Sequence, residues 1–257
     1  MHPFYTLFSH REILKNLVLR NLRVRYKGSI LGFIWAFLNP LLMTLILYIV
    51  FTKIMKIGIP QYPLFLLSAL LPWTFFASSL TDSAHSIIDN ANLVKKVSFP
   101  RAILPISYVS SNFINLLFGF SIAVPVLIIF RTQHLKFIYF LPIILIIHFI
   151  FTAGLALFFS CGNVYFRDVS HILNIMLIFW FYLTPVFYSL EMIPPKFYHI
   201  YLLNPMVLII TMYRNVLFEG KVPGPMCIMV AIFTAIITLI FGYLIFKRYE
   251  PSFAKEI

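Results

Sequence analysis

Charge is scarce in this sequence. Only 11% of the 257 residues are charged, and the acidic residues number eight against 20 lysines and arginines. A soluble domain of this length carries about twice that charged fraction. Because 61% of the residues are also hydrophobic, the composition excludes an ordinary soluble globular protein and indicates an integral membrane protein.

Acidic residues are missing from the apolar stretches. All eight lie in predicted loops, helix ends or tails. They are Glu12, Asp82, Asp89, Asp168, Glu191, Glu219, Glu250 and Glu256. Ion-coupled transporters generally need ionisable residues inside the membrane to carry protons or hold cations. The pattern therefore disfavours a secondary transporter, although backbone carbonyls alone can bind Na⁺.

Motifs for cofactor chemistry are also missing. The sequence contains no GxxxxGK[ST] phosphate loop, no HExxH and no CxxC pair, so we expect this chain to hold no nucleotide, metal or catalytic site. Its two cysteines, Cys161 and Cys227, lie in apolar context and are expected to be small core residues. The net charge of +12 comes from cations that flank apolar runs, which favours anionic lipid over nucleic acid as a partner.

A basic stretch runs directly into a long apolar run near the N-terminus. The basic residues are Arg20, Arg23, Arg25 and Lys27. The apolar run 32–52 that follows can cross the roughly 30 Å of hydrocarbon at 1.5 Å per residue. Asn39-Pro40 inside it is expected to kink the helix. A positive flank usually marks the cytoplasmic side, so we predict a cytoplasmic N-terminus.

Hydropathy predicts a single all-α domain over residues 1–257 with six transmembrane helices and both termini in the cytoplasm. The predicted spans are 32–52, 62–81, 102–130, 138–163, 171–189 and 225–246. Three segments lie between or before them. Residues 1–31 are predicted to carry an amphipathic interface helix, residues 82–101 a short cytoplasmic helix capped by Asp82 or Ser83, and residues 190–224 two short interfacial or re-entrant helices broken at Asn204-Pro205.

Aromatic residues are abundant, at 18% of the chain. Some belong to interfacial belts, but others lie at span depth, where flat rings can pair with the CH faces of sugars. The alternative is that they face lipid. The residues predicted to line a channel are Trp35, Phe37, Tyr48, Phe75, Phe76, Trp180 and Tyr182.

Three motifs carry a resemblance to a known family. The first is Arg25-Tyr26-Lys27-x-Ser29-x-Leu31-Gly32-x-x-Trp35 followed by Asn39-Pro40, the second is Lys96-Val97-x-Phe99-Pro100-Arg101, and the third is Asn204-Pro205 with Tyr213-Arg214. With these motifs the whole chain resembles the membrane subunit of ABC-2 type polysaccharide exporters, which include the O-antigen (Wzm-like), capsule and teichoic-acid permeases.

The resemblance implies a bacterial inner-membrane homodimer that works with two ATP-binding cassette subunits, which hold the ATP and Mg²⁺. The substrate would be a polyprenyl-pyrophosphate-linked polysaccharide, O antigen in the first place, moving through a channel at the dimer interface. Spans one, two and five would line that channel. ATP hydrolysis would belong to the partner, so this chain would be a permease subunit and not an enzyme.

The resemblance also assigns residues to each end of the channel. Stretch 82–96 would hold the coupling helix that docks on the ATPase, through Asp89, Leu93, Lys95 and Lys96. The basic residues Arg20, Arg23, Arg25 and Lys27 would either attract the pyrophosphate at the cytoplasmic mouth or meet anionic headgroups. The outer gate within 190–224 would include Asn204, Pro205, Tyr213 and Arg214.

Two other readings stay open at this point. An ABC-2 exporter of capsule, teichoic acid, small lipids or drugs shares the same architecture. An ATP-independent transporter or channel would have no ATPase partner.

Overall fold

In the computed structural model the described residues are 10–29, 31–56, 58–97 and 99–257. The first nine residues of the predicted N-terminal segment lie outside them. Eleven α-helices follow one another in these ranges. They are α1 (Arg11–Tyr26), α2 (Trp35–Tyr48), α3 (Tyr62–His85), α4 (Ala91–Lys96), α5 (Ile103–Arg131), α6 (Leu141–Tyr165), α7 (Asp168–Tyr182), α8 (Pro195–Leu202), α9 (Pro205–Arg214), α10 (Pro225–Tyr249) and α11 (Phe253–Glu256).

Shorter helical turns extend or join these helices. Wider π-helical turns continue α2 over Ile49–Ile54 and α9 over Asn215–Glu219. Tight 3₁₀ turns lie at Gly32–Ile34, Thr132–Phe140, Leu190–Met192 and Glu250–Ser252.

Five helical stretches among the described residues are long and apolar enough to cross a membrane. They are Phe37–Ile54, Tyr62–His85, Ile103–Leu127, Lys136–Tyr165 and Pro225–Glu256. A sixth candidate is the pair Pro195–Leu202 and Pro205–Glu219, which is bent by 99°. The secondary structure of the described ranges is helical throughout, and its long apolar helices are consistent with the predicted multi-pass membrane protein.

Helix α7 is shorter than the predicted span 171–189. It has 15 residues, which at 1.5 Å per residue reach about 22 Å, less than the hydrocarbon thickness. The cause lies in the sequence, because Pro185 disfavours a helical conformation for the residue before it and cannot donate a helical hydrogen bond.

The predicted capping of the cytoplasmic helix by Asp82 or Ser83 is wrong. Both residues lie in the last turn of α3, which runs on to His85 because nothing in this stretch breaks it. The short helix is α4, which begins after Asn90.

Helix α3 is the centre of the bundle. Residues 62–77 of this helix are apolar on nearly every side, which is the pattern of a helix surrounded by others. Leu66, Phe76 and Leu80 are fully buried along it. The core around α3 includes side chains of α5, α6, α7 and α9.

Helices α6 and α10 cross at a pair of glycines. A Cβ atom added at Gly154 would lie 2.5 Å from the backbone of Thr238, and one at Gly242 would overlap the carbonyl oxygen of Gly154. The two backbones are therefore in contact, which is how small residues let membrane helices pack.

A second apolar cluster joins the two ends of the chain. Leu17 of α1, Val94 of α4 and Phe253 of α11 are all buried in it, together with Phe246 at the end of α10. The ammonium of Lys95 also donates to the carbonyl oxygen of Ile257 at 2.5 Å. The first and last helices thus support α4 from the same cluster.

Candidate functional site

A groove of about 500 Å³ opens between α2, α3 and α7. Asn39, Pro40 and Met43 of α2 line it, as do Leu70, Trp73, Thr74 and Ala77 of α3 and Leu177, Ile178, Phe181 and Tyr182 of α7. Predicted spans one, two and five therefore share one surface. Since the groove combines aromatic rings with an amide and a hydroxyl, it can contact both the CH faces and the hydroxyl groups of a sugar.

Of the predicted channel aromatics, Tyr182 lies on this groove and is 61% exposed. Phe75 and Phe76 instead lie inside the core. Phe76 is fully buried and packs against Phe151 and Trp180, because span depth does not reveal which side of a helix faces the bundle. Phe75 is also buried, and it lines the smaller cavity that contains Trp35.

Three further channel predictions lie at the bundle edge. Trp35 lines a separate cavity of about 190 Å³ with Arg25, Asn39 and Phe75. Phe37 and Tyr48 are half-buried and pack against the core.

Trp73 and Phe181 were not among the predicted site residues. Trp73 packs edge-on against Phe181, with ring centroids 5.4 Å apart. A signal for the face existed, because Leu70, Trp73, Thr74 and Ala77 recur at the three- and four-residue spacing of one helical side.

Asn204 is a hydrogen-bond hub at the end of α7. Its side-chain oxygen accepts the Trp180 indole N–H at 2.7 Å and caps α9 by accepting the backbone N–H of Met206 at 3.0 Å. Its amide donates to the carbonyl of Leu183 and the hydroxyl of Thr184, both at 3.2 Å. Pro205 follows as the first residue of α9, a position where its missing N–H costs nothing.

Arg214 secures the segment between α7 and α8. Its guanidinium donates to the carbonyl of Val186 at 3.0 Å and that of Tyr188 at 3.3 Å, and lies 3.7 Å from the ring centre of Phe65. Burial of an arginine costs free energy unless its charge is stabilised. Here two carbonyls and a ring face supply that stabilisation. The neighbouring Tyr213 is fully buried, with its hydroxyl 3.4 Å from Nδ1 of His148.

At the other end, Arg25 joins α1 to two spans. Its guanidinium forms an ion pair with Asp82 of α3 and donates to Oδ1 of Asn112 of α5 at 2.5 Å. Asn112 in turn donates to Asp82 at 2.8 Å. The three side chains form a closed triangle that fixes the C-terminal end of α1 against the bundle.

Further polar contacts hold α1 along its length. Arg20 donates to Asn90 at 2.7 Å, and Asn21 donates to Ser107 at 3.1 Å. Arg23 and Lys27 are exposed. Of the four basic residues predicted at the cytoplasmic mouth, Arg20 and Arg25 therefore have protein partners, while Arg23 and Lys27 present their charge to the surroundings.

The Arg25–Asp82 pair leads to a testable expectation. Arg25→Glu places two carboxylates together, so α1 should open more easily. The pair is partly exposed, so water screens it and we expect a cost of about 1 kcal/mol, or roughly fivefold faster amide hydrogen exchange in residues 11–26. Combining Arg25→Glu with Asp82→Arg should restore most of the protection. Equal exchange in the wild type and the single variant would show that the pair does not hold α1.

The predicted coupling residues lie on and before α4. Asp89, Lys95 and Lys96 are exposed, whereas Leu93 is half-buried and packs against the second cluster. The helix thus exposes charged groups at the surface, while its apolar side, with Val94, is buried in the bundle. Within the described ranges, no group of three or more His, Cys, Asp or Glu side chains is arranged to hold a metal ion.

Comparison with known families matches residues 12–218 to the ABC-2 type transporter membrane family. This chain belongs to that family. The resemblance inferred from the motifs is confirmed, and the match includes α1, the groove, α4 and the Asn204 and Arg214 contacts.

Curated relatives of this ABC-2 chain agree along nearly its whole length. An O-antigen export system permease protein RfbA of Klebsiella pneumoniae is 36% identical over 249 residues, covering 95% of this chain and 94% of that protein. One from Myxococcus xanthus is 34% identical over 257 residues, covering 98% and 97%. A polysialic acid transport protein KpsM of Escherichia coli is 26% identical over 244 residues, covering 92% and 93%.

Proposed function

We propose that this chain is the permease subunit of an ATP-driven exporter that moves a polyprenyl-pyrophosphate-linked O antigen across the bacterial inner membrane. The names of the relatives support the substrate, because O-antigen export permeases align with almost the entire chain at 34–36% identity. A capsule polysaccharide is the second candidate, favoured by the more distant similarity to KpsM.

The observation that carries the proposal is the groove between α2, α3 and α7. It is open on one side, and exposed apolar residues of α2 and α7 flank it, among them Met43 and Ile178. Two copies that face each other across this groove would enclose a channel with both walls made of the same residues. Two-fold symmetric dimers are the commonest soluble oligomers. We therefore propose that two copies of this chain form such a homodimer.

The energy source would be two ATP-binding cassette subunits, which carry the ATP and Mg²⁺. In this proposal both termini are cytoplasmic, and the partner docks on the exposed charges Asp89, Lys95 and Lys96 of the coupling segment. A push on α4 would pass into the bundle through its buried residue Val94 and through Leu93. This docking proposal is supported by the location of α4, which packs against both the first helix α1 and the last helix α11.

The mouth of the channel would attract the pyrophosphate through Arg23 and Lys27, since these cations are exposed. Arg20 and Arg25 would act on substrate only after releasing Asn90 and Asp82. In the ground state we assign them to holding α1 in place.

The channel surface is tested by Tyr182→Ala. Loss of one stacking ring on the groove should lower the export rate roughly tenfold, which corresponds to about 1.4 kcal/mol in the transport step. The measurement is surface O antigen per cell at equal permease abundance. Tyr139→Ala is the matched control, because Tyr139 is 62% exposed, close to the 61% of Tyr182, and does not line the groove. Normal export by Tyr182→Ala at equal abundance would show that the groove does not line the channel.

A further inference from the structure

A further cavity, lined by several polar side chains, lies in the segment between α7 and α10 and shares no lining residue with the groove. Its volume is about 510 Å³, within the roughly 300–1,000 Å³ range of ligand sites. One wall is the stretch 189–198, and the other is the end of α9 with the π-helical turn after it. The polar side chains that line it include Ser189, Glu191, Tyr198, Arg214, Asn215 and Glu219.

Arg214 provides the evidence that this cavity binds a ligand. It is only 3% exposed, yet among the described residues its Nε has no hydrogen-bond partner. Two of its nitrogens already bind the carbonyls of Val186 and Tyr188, so the cavity wall is held rigidly around it. A buried donor without a partner costs free energy that a ligand oxygen could recover.

The charges of the cavity select the ligand's class. Glu191 and Glu219 contribute two negative charges, and Arg214 with Lys221, which lies 3.1 Å from Glu219, balances them. The cavity therefore has no net positive charge to hold a phosphate or other anion, which favours a neutral ligand. Carboxylates accept hydrogen bonds from sugar hydroxyls, while an arginine and an amide N–H donate to the hydroxyl oxygens. The ring of Tyr198 adds a flat apolar face.

We propose that this cavity binds a neutral sugar residue of the exported glycan. The carboxylates of Glu191 and Glu219 receive sugar hydroxyl protons, Arg214 and Asn215 donate to hydroxyl oxygens, and Tyr198 packs on the CH face. The inference rests on the proposed function, since a glycan exporter is what brings sugars to this surface. It adds a contact that holds the leading part of the chain beyond the groove.

The test uses the permease with its ATP-binding subunits in lipid nanodiscs. The probe is the O-polysaccharide released by mild acid from the host's own lipopolysaccharide. Hydrogen exchange in residues 189–198 and 211–219 is followed as the probe is titrated, so that binding at the groove does not enter the readout. Protection should appear in the wild type, and the half-saturating concentration should rise about tenfold in Glu191→Gln and in Tyr198→Ala.

Phe197→Ala is the matched control. Phe197 and Tyr198 are adjacent aromatic residues of α8, exposed to 46% and 41%, and only Tyr198 lines the cavity. The control should bind within about twofold of the wild type, since it removes no cavity contact. Unchanged protection in both cavity variants, or none in the wild type, would overturn the sugar site. So would competition by inorganic phosphate, which would assign the cavity to an anion.

A separate experiment tests the proposed function. If deletion of the chromosomal copy leaves surface O antigen intact, the chain is not the O-antigen permease, whatever the cavity binds. If deletion abolishes surface O antigen and the cavity variants bind normally, the export function stands and the sugar site is wrong.

Discussion

Gly242→Ala is expected to remove most of the permease from the membrane. The added Cβ would overlap the carbonyl oxygen of Gly154 on α6, and a backbone atom cannot move aside as a side chain can. Overpacking typically costs about 1–3 kcal/mol, and contact with backbone puts this substitution at the upper end. That is a large share of the roughly 5–15 kcal/mol that stabilises a typical protein. Immunoblots of membrane fractions and thermal unfolding of the purified protein measure the loss.

Gly224→Ala is the control for this substitution. Gly224 directly precedes α10, and a Cβ there meets nothing within 4 Å. It should accumulate and unfold as the wild type does. Normal abundance and thermal stability of Gly242→Ala would mean that α6 and α10 do not cross as closely as described.

Asn204→Leu is expected to have the second large effect. It removes four hydrogen bonds at once and leaves the Trp180 indole and the Thr184 hydroxyl without that partner. The Thr184 hydroxyl keeps its hydrogen bond to the carbonyl of Trp180. The indole N–H left without a partner costs about 1–3 kcal/mol, and the loss of the α9 cap adds about 1 kcal/mol. Together they should free the bent pair α8–α9 from the end of α7. Faster hydrogen exchange in residues 183–214 and leakage of small solutes across the membrane would report the loosened segment.

Trp180→Phe distinguishes the effect of the Asn204 hydrogen bonds from that of the aromatic packing of Trp180. It keeps the aromatic packing on Phe76 but removes the indole N–H, so it should cost about 1 kcal/mol and leave the other three Asn204 bonds in place. The two variants should therefore differ markedly in exchange rate. If Asn204→Leu exchanges no faster than Trp180→Phe, the Asn204 hydrogen bonds do not hold the α8–α9 pair.

The architecture was accessible from the sequence because lipid imposes a strong pattern. Long apolar runs free of acidic residues predict spans, and five of them agree with long helices of the structure. The motifs around Arg25 and Asn204-Pro205 carried the resemblance, and the family match confirms it. Helix α7 was predicted too long because apolar composition continues past Pro185, where the helix has already ended.

Side-chain partners were not accessible in the same way. Helical spacing places Leu70, Trp73, Thr74 and Ala77 on one side of α3. In a mostly apolar span, that spacing does not indicate that this side meets the groove while Phe76 faces the core. The basic cluster was recognisable as a cationic flank. The sequence did not show which of its residues bind other side chains and which stay exposed. Arg25 meets Asp82 and Asn112 across 57 and 87 residues of sequence, and such pairings depend on how the helices cross. The same holds for Asn204, whose partners include Trp180 on α7 and two residues just after that helix.

The central claim is that this chain is the permease of an ATP-driven exporter, and affinity purification from its native membrane in mild detergent tests it most directly. The account predicts that an ATP-binding subunit copurifies at one-to-one stoichiometry and that the complex hydrolyses ATP in a vanadate-sensitive manner. Recovery of the chain alone in several detergents, with no ATPase activity, would contradict it.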